Sequence, residues 1–367
     1  MAEGVYHQLA HHLGTLGMGY PPGEELEDIL RENFTPQEAA IALSLPTKVP
    51  PLKLASLDDI AQKVDLPKTK LAEILEDLSS RGLLYSGKTK DREKGYALQQ
   101  MGYGFPQGFF WKGEKNPHTH KMADLIHEYA KAKNINYEVY GKTKTKNYRY
   151  IPAKEAVEHD HDMHAVLPFD QMEGVIKKAR RIAVAHCPCR IIAELRDRRR
   201  CDHEMEVCMK YDELADYVIE RGMAREISKD EALEIIQRSE EAGLVHMVDN
   251  AREEIKHTCN CCGCCCWSVG TIKRRRIPRD ELIAAYFIRE TDTEACTGCG
   301  ECVEICPVDA IAMEGDFPSV DNEWCIGCGL CLKPCPTGAA ILKRTSQAVP
   351  PKDFGELHTK ILQERKL

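Results

Sequence analysis

With 367 residues the chain exceeds one ordinary domain, and its length predicts two or three. It is 43% hydrophobic and 29% charged with a formal net charge of −8, and its longest fully apolar run, Leu282 to Ile288, is far short of the ~20 residues that cross a bilayer, so no membrane span is expected. Met1 to Gly23 has no basic stretch followed by an apolar one, so no secretory signal is read and a cytoplasmic location is expected, a reducing setting in which 18 cysteines are metal ligands rather than a disulfide framework.

The first half, residues 1–186, contains no cysteine. Thr35-Pro-Gln-Glu38 starts a helix with a cap and a proline at the first helical position. Leu57 to Val64 predicts a second helix, Asp65-Leu-Pro-Lys-Thr a turn, and a third helix carries Leu71, Ile74, Leu75 and Leu78 as one stripe. Gly82-Leu-Leu-Tyr and Gly95-Tyr-Ala-Leu predict strands flanking a charged wing. This order resembles the winged helix-turn-helix family, which implies a domain that holds either DNA or a protein. On the third helix Lys68, Lys70 and Arg81 are cancelled by Glu73, Glu76 and Asp77, and the wing has only a small basic excess. Phosphate binding usually shows a basic face, so a scaffold or partner-docking role is expected ahead of DNA binding. Gly82 to Thr89 also satisfies G-x4-G-K-T, but a phosphate cradle needs a strand before it and a helix after it. Here a helix precedes and a wing follows, so nucleotide binding is not expected.

The aromatic run Tyr103 to Trp111 reads as core. Tyr137 to Tyr140 and Tyr148 to Ile151 flank Gly141-Lys-Thr-Lys-Thr-Lys146, which predicts an exposed basic hairpin. His159, His161 and His164, interleaved with Asp160 and Asp162, have the composition of a metal site but read as a solvated loop.

Two cysteine segments follow. Cys187-Pro-Cys189-Arg190, after the strand-like Arg181-Ile-Ala-Val-Ala, is joined by Cys201 and Cys208. Helices over Asp212 to Gly222 and Ser228 to Gly243 and a strand at Leu244 to Val248 lead to Cys259-Asn-Cys261-Cys262-Gly263-Cys264-Cys265-Cys266. Ten thiols suffice for two further 4Fe-4S clusters with two to spare, with zinc or redox-active dithiols as alternatives. One division gives a cluster to Cys187, Cys189, Cys201 and Cys208 and another to four of the six in the string, and sharing between the segments is equally open. Cys261-Cys262-Gly263 superficially resembles the cysteine-rich segments of heterodisulfide reductases, but the accompanying spacings are absent and no non-cubane cluster is carried over.

The last eight cysteines are the sharpest signal. Cys296, Cys299, Cys302 and Cys306-Pro307 follow C-x2-C-x2-C-x3-C-P, and Cys325, Cys328, Cys331 and Cys335-Pro336 repeat it at an offset of 29. Three closely spaced cysteines wrap one face of a cubane while the fourth ligates the other cluster, so crossed ligation assigns Cys296, Cys299, Cys302 and Cys335 to one cluster and Cys325, Cys328, Cys331 and Cys306 to the second. Glycines 298, 300, 327 and 329 permit the positive dihedrals of such loops. The stretch resembles bacterial two-cluster ferredoxins. Residues from about 165 to 340 resemble uncharacterised multi-cluster ferredoxin-like proteins of anaerobes, a resemblance that implies electron transfer. The basic runs Arg198 to Arg200 and Lys273 to Arg276 adjoin cysteines and could offset cluster charge or dock an acidic partner, and the tail after Val349-Pro-Pro351 predicts a packed helix.

The expected fold is α+β and multidomain: a winged helix over 1–125, a hairpin and connecting segment over 126–180, a mainly helical cysteine-rich cluster domain over 181–290, a two-cluster ferredoxin domain over 291–345 and a tail over 346–367. Four clusters in tandem imply a non-catalytic electron-transfer subunit relaying low-potential electrons to a partner oxidoreductase. A redox-sensing winged-helix transcription regulator is the alternative, and an enzyme using the cysteine string as its active site is a third reading.

Overall fold

The computed structural model of the chain describes residues 2–154, 156, 170–344 and 349–367, so the histidine loop at 159–164 lies outside the described residues. The cysteine-free half begins with helices α1 (Ala2–Gly14), α2 (Glu24–Asn33) and α3 (Pro36–Ala42). The cap predicted at Thr35 is reciprocal: its hydroxyl accepts from the Glu38 amide at 3.3 Å while the Glu38 carboxylate accepts from the Thr35 amide at 2.7 Å. Strand β1 (Ala55–Ser56), α4 (Leu57–Ala61), α5 (Lys68–Ser80), β2 (Leu84–Lys88) and β3 (Lys94–Leu98) follow, with antiparallel order β1-β3-β2. Helix α5 buries Leu71, Leu75 and Leu78, and Gly87 lies within β2, paired with Gly95, so no phosphate cradle forms there.

The middle of the chain, expected to be mainly helical, is organised around a six-stranded antiparallel sheet of order β4-β8-β9-β6-β5-β7. Its strands are β4 (Tyr148–Ile151), β5 (Ile182–His186), β6 (Glu206–Tyr211), β7 (Arg225–Ile227), β8 (Val245–Asp249) and β9 (His257–Cys261). Alternation sorts its side chains. Ala183, Ala185 and Cys208 face the core shared with the N-terminal half, whereas Val184, Val207 and Met209 pack with Val175, Ile176, Ile235 and Ile236. Those last residues belong to α7 (Met172–Lys178) and α10 (Lys229–Glu241), which cover the opposite face; α6 (Pro117–Ala132), α8 (Pro188–Leu195) and α9 (Asp212–Glu220) complete this part.

The predicted basic hairpin does not form. Asn136–Gly141 is a helical turn, and β4 pairs instead with β8, with Tyr148 opposite Asp249. Lys146, expected in solvent, turns inward and donates to the carbonyls of Gly141 (2.9 Å) and Thr143 (2.7 Å), closing the loop on itself. The run from Tyr103 to Trp111 is core, with Tyr103, Phe105, Phe110 and Trp111 all buried.

The two halves share a core rather than sitting on a linker. Tyr217 of α9 donates to the Leu84 carbonyl (2.9 Å), accepts from the Gln99 amide (2.9 Å) and stacks obliquely on Tyr85. Arg221 reaches Glu76 of α5 at 2.5 Å and Ser86 at 2.8 Å. After α11 (Trp267–Lys273) and α12 (Arg279–Leu282) the C-terminal module is made of two antiparallel pairs, β10 (Phe287–Thr291) with β13 (Ala340–Arg344) and β11 (Ile311–Glu314) with β12 (Phe317–Val320), and helix α13 (Glu301–Glu304). The tail forms α14 (Phe354–Glu364), capped by Asp353, which buries Phe354, Leu357 and Ile361 in the N-terminal core.

Candidate metal centres

In the C-terminal module Cys296, Cys299, Cys302 and Cys335 line one small cavity, with Arg289 and Pro318 in its wall. Thiols from both repeats therefore meet. Burial pushes the Cys335 thiol up, but the amides of Ala340, Thr337 and Ala339 outweigh it and hold the thiol below its usual range. Cys306, from the first repeat, faces Cys325, Cys328 and Cys331 of the second: the thiols of Cys306 and Cys328 are pushed up by burial and by neighbours drawn from this set. The Ala310 amide donates to Cys306 Sγ at 3.2 Å and the Gly298 amide to Cys296 Sγ at 3.5 Å. Backbone donors aimed at sulfur are what an anionic iron–sulfur cluster needs. Gly298 and Gly327 have φ of 69° and 65°, and a Cβ added there would lie 2.4 Å from the Asp316 carbonyl oxygen and 2.1 Å from that of Phe287. Only glycine fits such turns.

Arg289 is buried between the two sets. Its Nη2 donates to Cys302 Sγ at 3.6 Å, and it opposes the burial that raises Cys331 to about 12. A single arginine thus faces one thiol from each set. Arg275 and Arg279 tie the module to the cysteine string: Arg275 donates to the Val308 carbonyl at 2.7 Å and lies over the Trp324 ring, and Arg279 donates to the Cys325 carbonyl.

The ten central thiols divide six and four. Cys187, Cys189, Cys208, Cys259, Cys261 and Cys266 border a cavity of about 100 Å³ whose other walls include Trp111, Tyr140, Tyr148 and Trp267, and Cys262 reaches its edge as well. The sheet brings them there. Cys259 and Cys261 alternate on β9 with Asn260 between them; Met209 pairs with Thr258, which sets Cys208 of β6 opposite Cys259; Cys187 and Cys189 flank Pro188 at the start of α8. Neighbouring thiols perturb one another's protonation along this wall, Cys187 with Cys189, Cys189 with Cys266, Cys266 with Cys261, Cys261 with Cys259 and Cys259 with Cys208.

Three cations face these thiols. Lys210, 2% exposed, donates to Cys208 Sγ at 3.2 Å and lies over the Trp111 ring. Burial opposes charge on His257, yet Asp249, 3.2 Å away, raises its pKa to about 9. Arg190, fully buried, stands against Cys187, Cys262 and Cys261, and its guanidinium is anchored by the carbonyls of Glu204 and Asn260. Buried positive charge clustered on buried thiols is the environment that favours thiolate. Arg190 is visible in the sequence because it directly follows Cys189, whereas Lys210, His257 and Arg289 carry no local mark and were missed.

The remaining four, Cys201, Cys262, Cys264 and Cys265, converge with their sulfurs within 4.8 Å of one another. Cys201 therefore stands with the string and not with Cys187, Cys189 and Cys208. The run Arg198 to Arg200 is partly structural, since Arg199 donates to the carbonyls of Cys201 (2.7 Å) and His203 (2.9 Å).

Residues 295–339 match the family model of a 4Fe-4S dicluster domain. With that match and the thiol sites around it, the class is an iron–sulfur, metal-binding electron-transfer protein. The match covers the C-terminal module alone, and no curated protein and no solved structure matches the chain significantly. Among the described residues no helix is long and apolar enough to cross a membrane.

Proposed function

We propose that the chain relays low-potential electrons between a soluble carrier and a partner oxidoreductase, with the ferredoxin module as the entry and the six-thiol chamber as the next station. Two cubanes are held in crossed register by Cys296, Cys299, Cys302 and Cys335 and by Cys306, Cys325, Cys328 and Cys331. A further cluster is ligated from Cys187, Cys189, Cys208, Cys259, Cys261 and Cys266. Each cluster, when bound, takes up and returns one electron. The chain's own residues supply the rest: apolar burial, backbone N–H donors to sulfur, and Arg289, Arg190 and Lys210 as fixed countercharge.

The observation that carries this reading is Tyr150. Its buried ring lies within the electrostatic reach of Cys261 and Cys266 in the chamber and of Cys328 in the ferredoxin module, and all of these thiols pack in one core with it. The chamber and the second ferredoxin site therefore adjoin through one buried core. Anaerobic purification with iron and sulfide counting and EPR tests it: three cubanes give about 12 irons per chain, and about 8 would leave the chamber without a cluster.

The helix, strand and hairpin order of residues 36–98 supports a winged helix that serves as a scaffold. The cations of its third helix are already engaged, Lys70 with Glu73 at 3.1 Å, Arg81 with Asp77 at 2.8 Å and Lys68 with Asp58, and Lys94 at the base of the wing meets Glu76 at 3.4 Å. Helix α5 also meets the central domain through Glu76 and Arg221. Salt-sensitive binding to duplex DNA at near-physiological salt would favour the regulator instead.

A further inference from the structure

The ten central thiols were expected to hold two cubanes, but four of them, which include Cys262 at the chamber's edge, are packed too tightly for one. We propose that Cys201, Cys262, Cys264 and Cys265 form a mononuclear tetrathiolate site occupied by zinc, a structural clamp and not an electron-transfer station.

The argument is geometric. Two sulfur separations in this group are 3.7 Å, Cys201 to Cys265 and Cys264 to Cys265, and all four sulfurs lie within 4.8 Å of one another. A tetrahedron of sulfurs around one zinc ion, with Zn–S bonds of about 2.3 Å, has an edge of about 3.8 Å. A cubane spreads its thiolates farther apart, because each ends on a different iron. The chain supplies its own reference. Among the described residues no other three or more His, Cys, Asp or Glu ligand atoms come this close together, and that comparison includes both ferredoxin quartets, whose residues match the 4Fe-4S dicluster family, and the six-thiol chamber.

The surroundings suit a closed structural site. Four thiolates on one divalent ion leave a net negative charge, and the fully buried Arg190 faces Cys262 electrostatically. Such a cation offsets part of the ligands' charge. The four cysteines pack with Ala193 and Leu244 in a small apolar group of their own. A tetrahedral four-sulfur set selects zinc or iron, and zinc, with no redox chemistry, suits a set whose task is to join segments.

What it joins follows from the chain. Cys201 lies in the connection from α8 to β6, and the other three lie in the string immediately before α11. Clamping them together fixes the loop between Cys261 and Cys266, two chamber thiols that bracket the site in sequence. The same loop abuts the ferredoxin module, since a Cβ on Gly263 would lie 2.1 Å from the Pro307 carbonyl oxygen. Zinc here would fix the path of this loop without contributing a ligand to either neighbouring cluster site.

The test uses the full chain, purified anaerobically from cells grown with zinc and iron, and reads zinc, iron and acid-labile sulfide by elemental and chemical analysis. The expected result is about one zinc per chain. The double variant Cys264→Ser/Cys265→Ser should lose at least about five-fold of that zinc with iron, sulfide and EPR signals unchanged, whereas Cys335→Ser should lose iron and keep zinc. If the double variant does not fold, zinc-edge X-ray absorption on the wild-type protein decides, with four sulfurs at about 2.3 Å and no neighbouring metal expected. Absence of zinc from the wild-type protein, fewer than four sulfur ligands, or loss of iron and sulfide from the double variant overturns the proposal. None of these readings depends on whether electrons reach a partner, so failure here and failure of the relay are separable.

Discussion

Replacing Arg289 with methionine removes a buried cation from between the two ferredoxin sites while keeping most of the side-chain volume. Its guanidinium is 3% exposed and donates to Cys302 Sγ at 3.6 Å, with Cys331 of the other set also facing it. Reduction adds a negative charge to a cluster, so a nearby fixed cation stabilises the reduced form more than the oxidised one and raises the potential. With the charge centres about 5 Å apart and an effective dielectric constant of about 20, the lost attraction is about 3 kcal/mol. At 59 mV per tenfold change for one electron, that is a downward shift of about 130 mV for the cluster bearing Cys302, and less for the one bearing Cys331. EPR-monitored potentiometric titration of wild type, Arg289→Met and Arg289→Lys measures it, and the lysine variant should retain most of the wild-type potential. An upward shift, or shifts below about 20 mV at both clusters, would refute the electrostatic argument.

Three more outcomes follow from the same contacts. Cys306→Ser should remove about four irons and the EPR signal of the cluster held by the second repeat, although Cys306 belongs to the first, and loss of the first repeat's signal would contradict crossed ligation. Glu76 is held below its usual value of 4.5 chiefly by the hydrogen bond from Arg221. Because its folded pKa is depressed, its stabilisation is present above pH 4.5 and lost as pH falls through the folded value. Glu76→Gln should therefore lower Tm by about 2 °C at pH 7, for about 1 kcal/mol in this partly exposed pair, and by progressively less below pH 4.5, as differential scanning calorimetry would record. Tyr103→Phe strips the hydroxyl that donates to Asp249 at 2.8 Å and contacts His358 at 3.0 Å, leaving buried polar atoms unpartnered. It should cost about 1–3 kcal/mol in denaturant unfolding, and an unchanged midpoint would show that the network is not structural.

The parts legible in the sequence are those fixed by local spacing. The repeated ferredoxin motif needs only a tight loop around one cluster face, so its cysteines and glycines carry their own geometry, and the Thr35 cap and the α5 stripe are equally local. The division of the ten central thiols was hidden because it depends on strand register: Cys208 meets Cys259 through the β6–β9 pairing, across some fifty residues, and the α8–β6 connection carries Cys201 away from its sequence neighbours to the string. The false hairpin has the same origin. Tyr148 to Ile151 has strand composition, but nothing local says that its partner is β8, about a hundred residues on, rather than the nearby Tyr137 to Tyr140. Arg289 and Lys210 are ordinary charges until the fold buries them against sulfur.

The seam formed by Tyr217, Arg221 and the hairpin of β2 and β3 has a mechanical consequence. With hydrogen bonds, an ion pair and stacked rings crossing it, the cysteine-free half has no independent swing relative to the metal-bearing half. A protein gripped by the first would be presented to the second at one distance and one angle. Transfer to it would then be governed by that fixed gap, as along a rigid bracket, and not by the search of a tethered domain for its target.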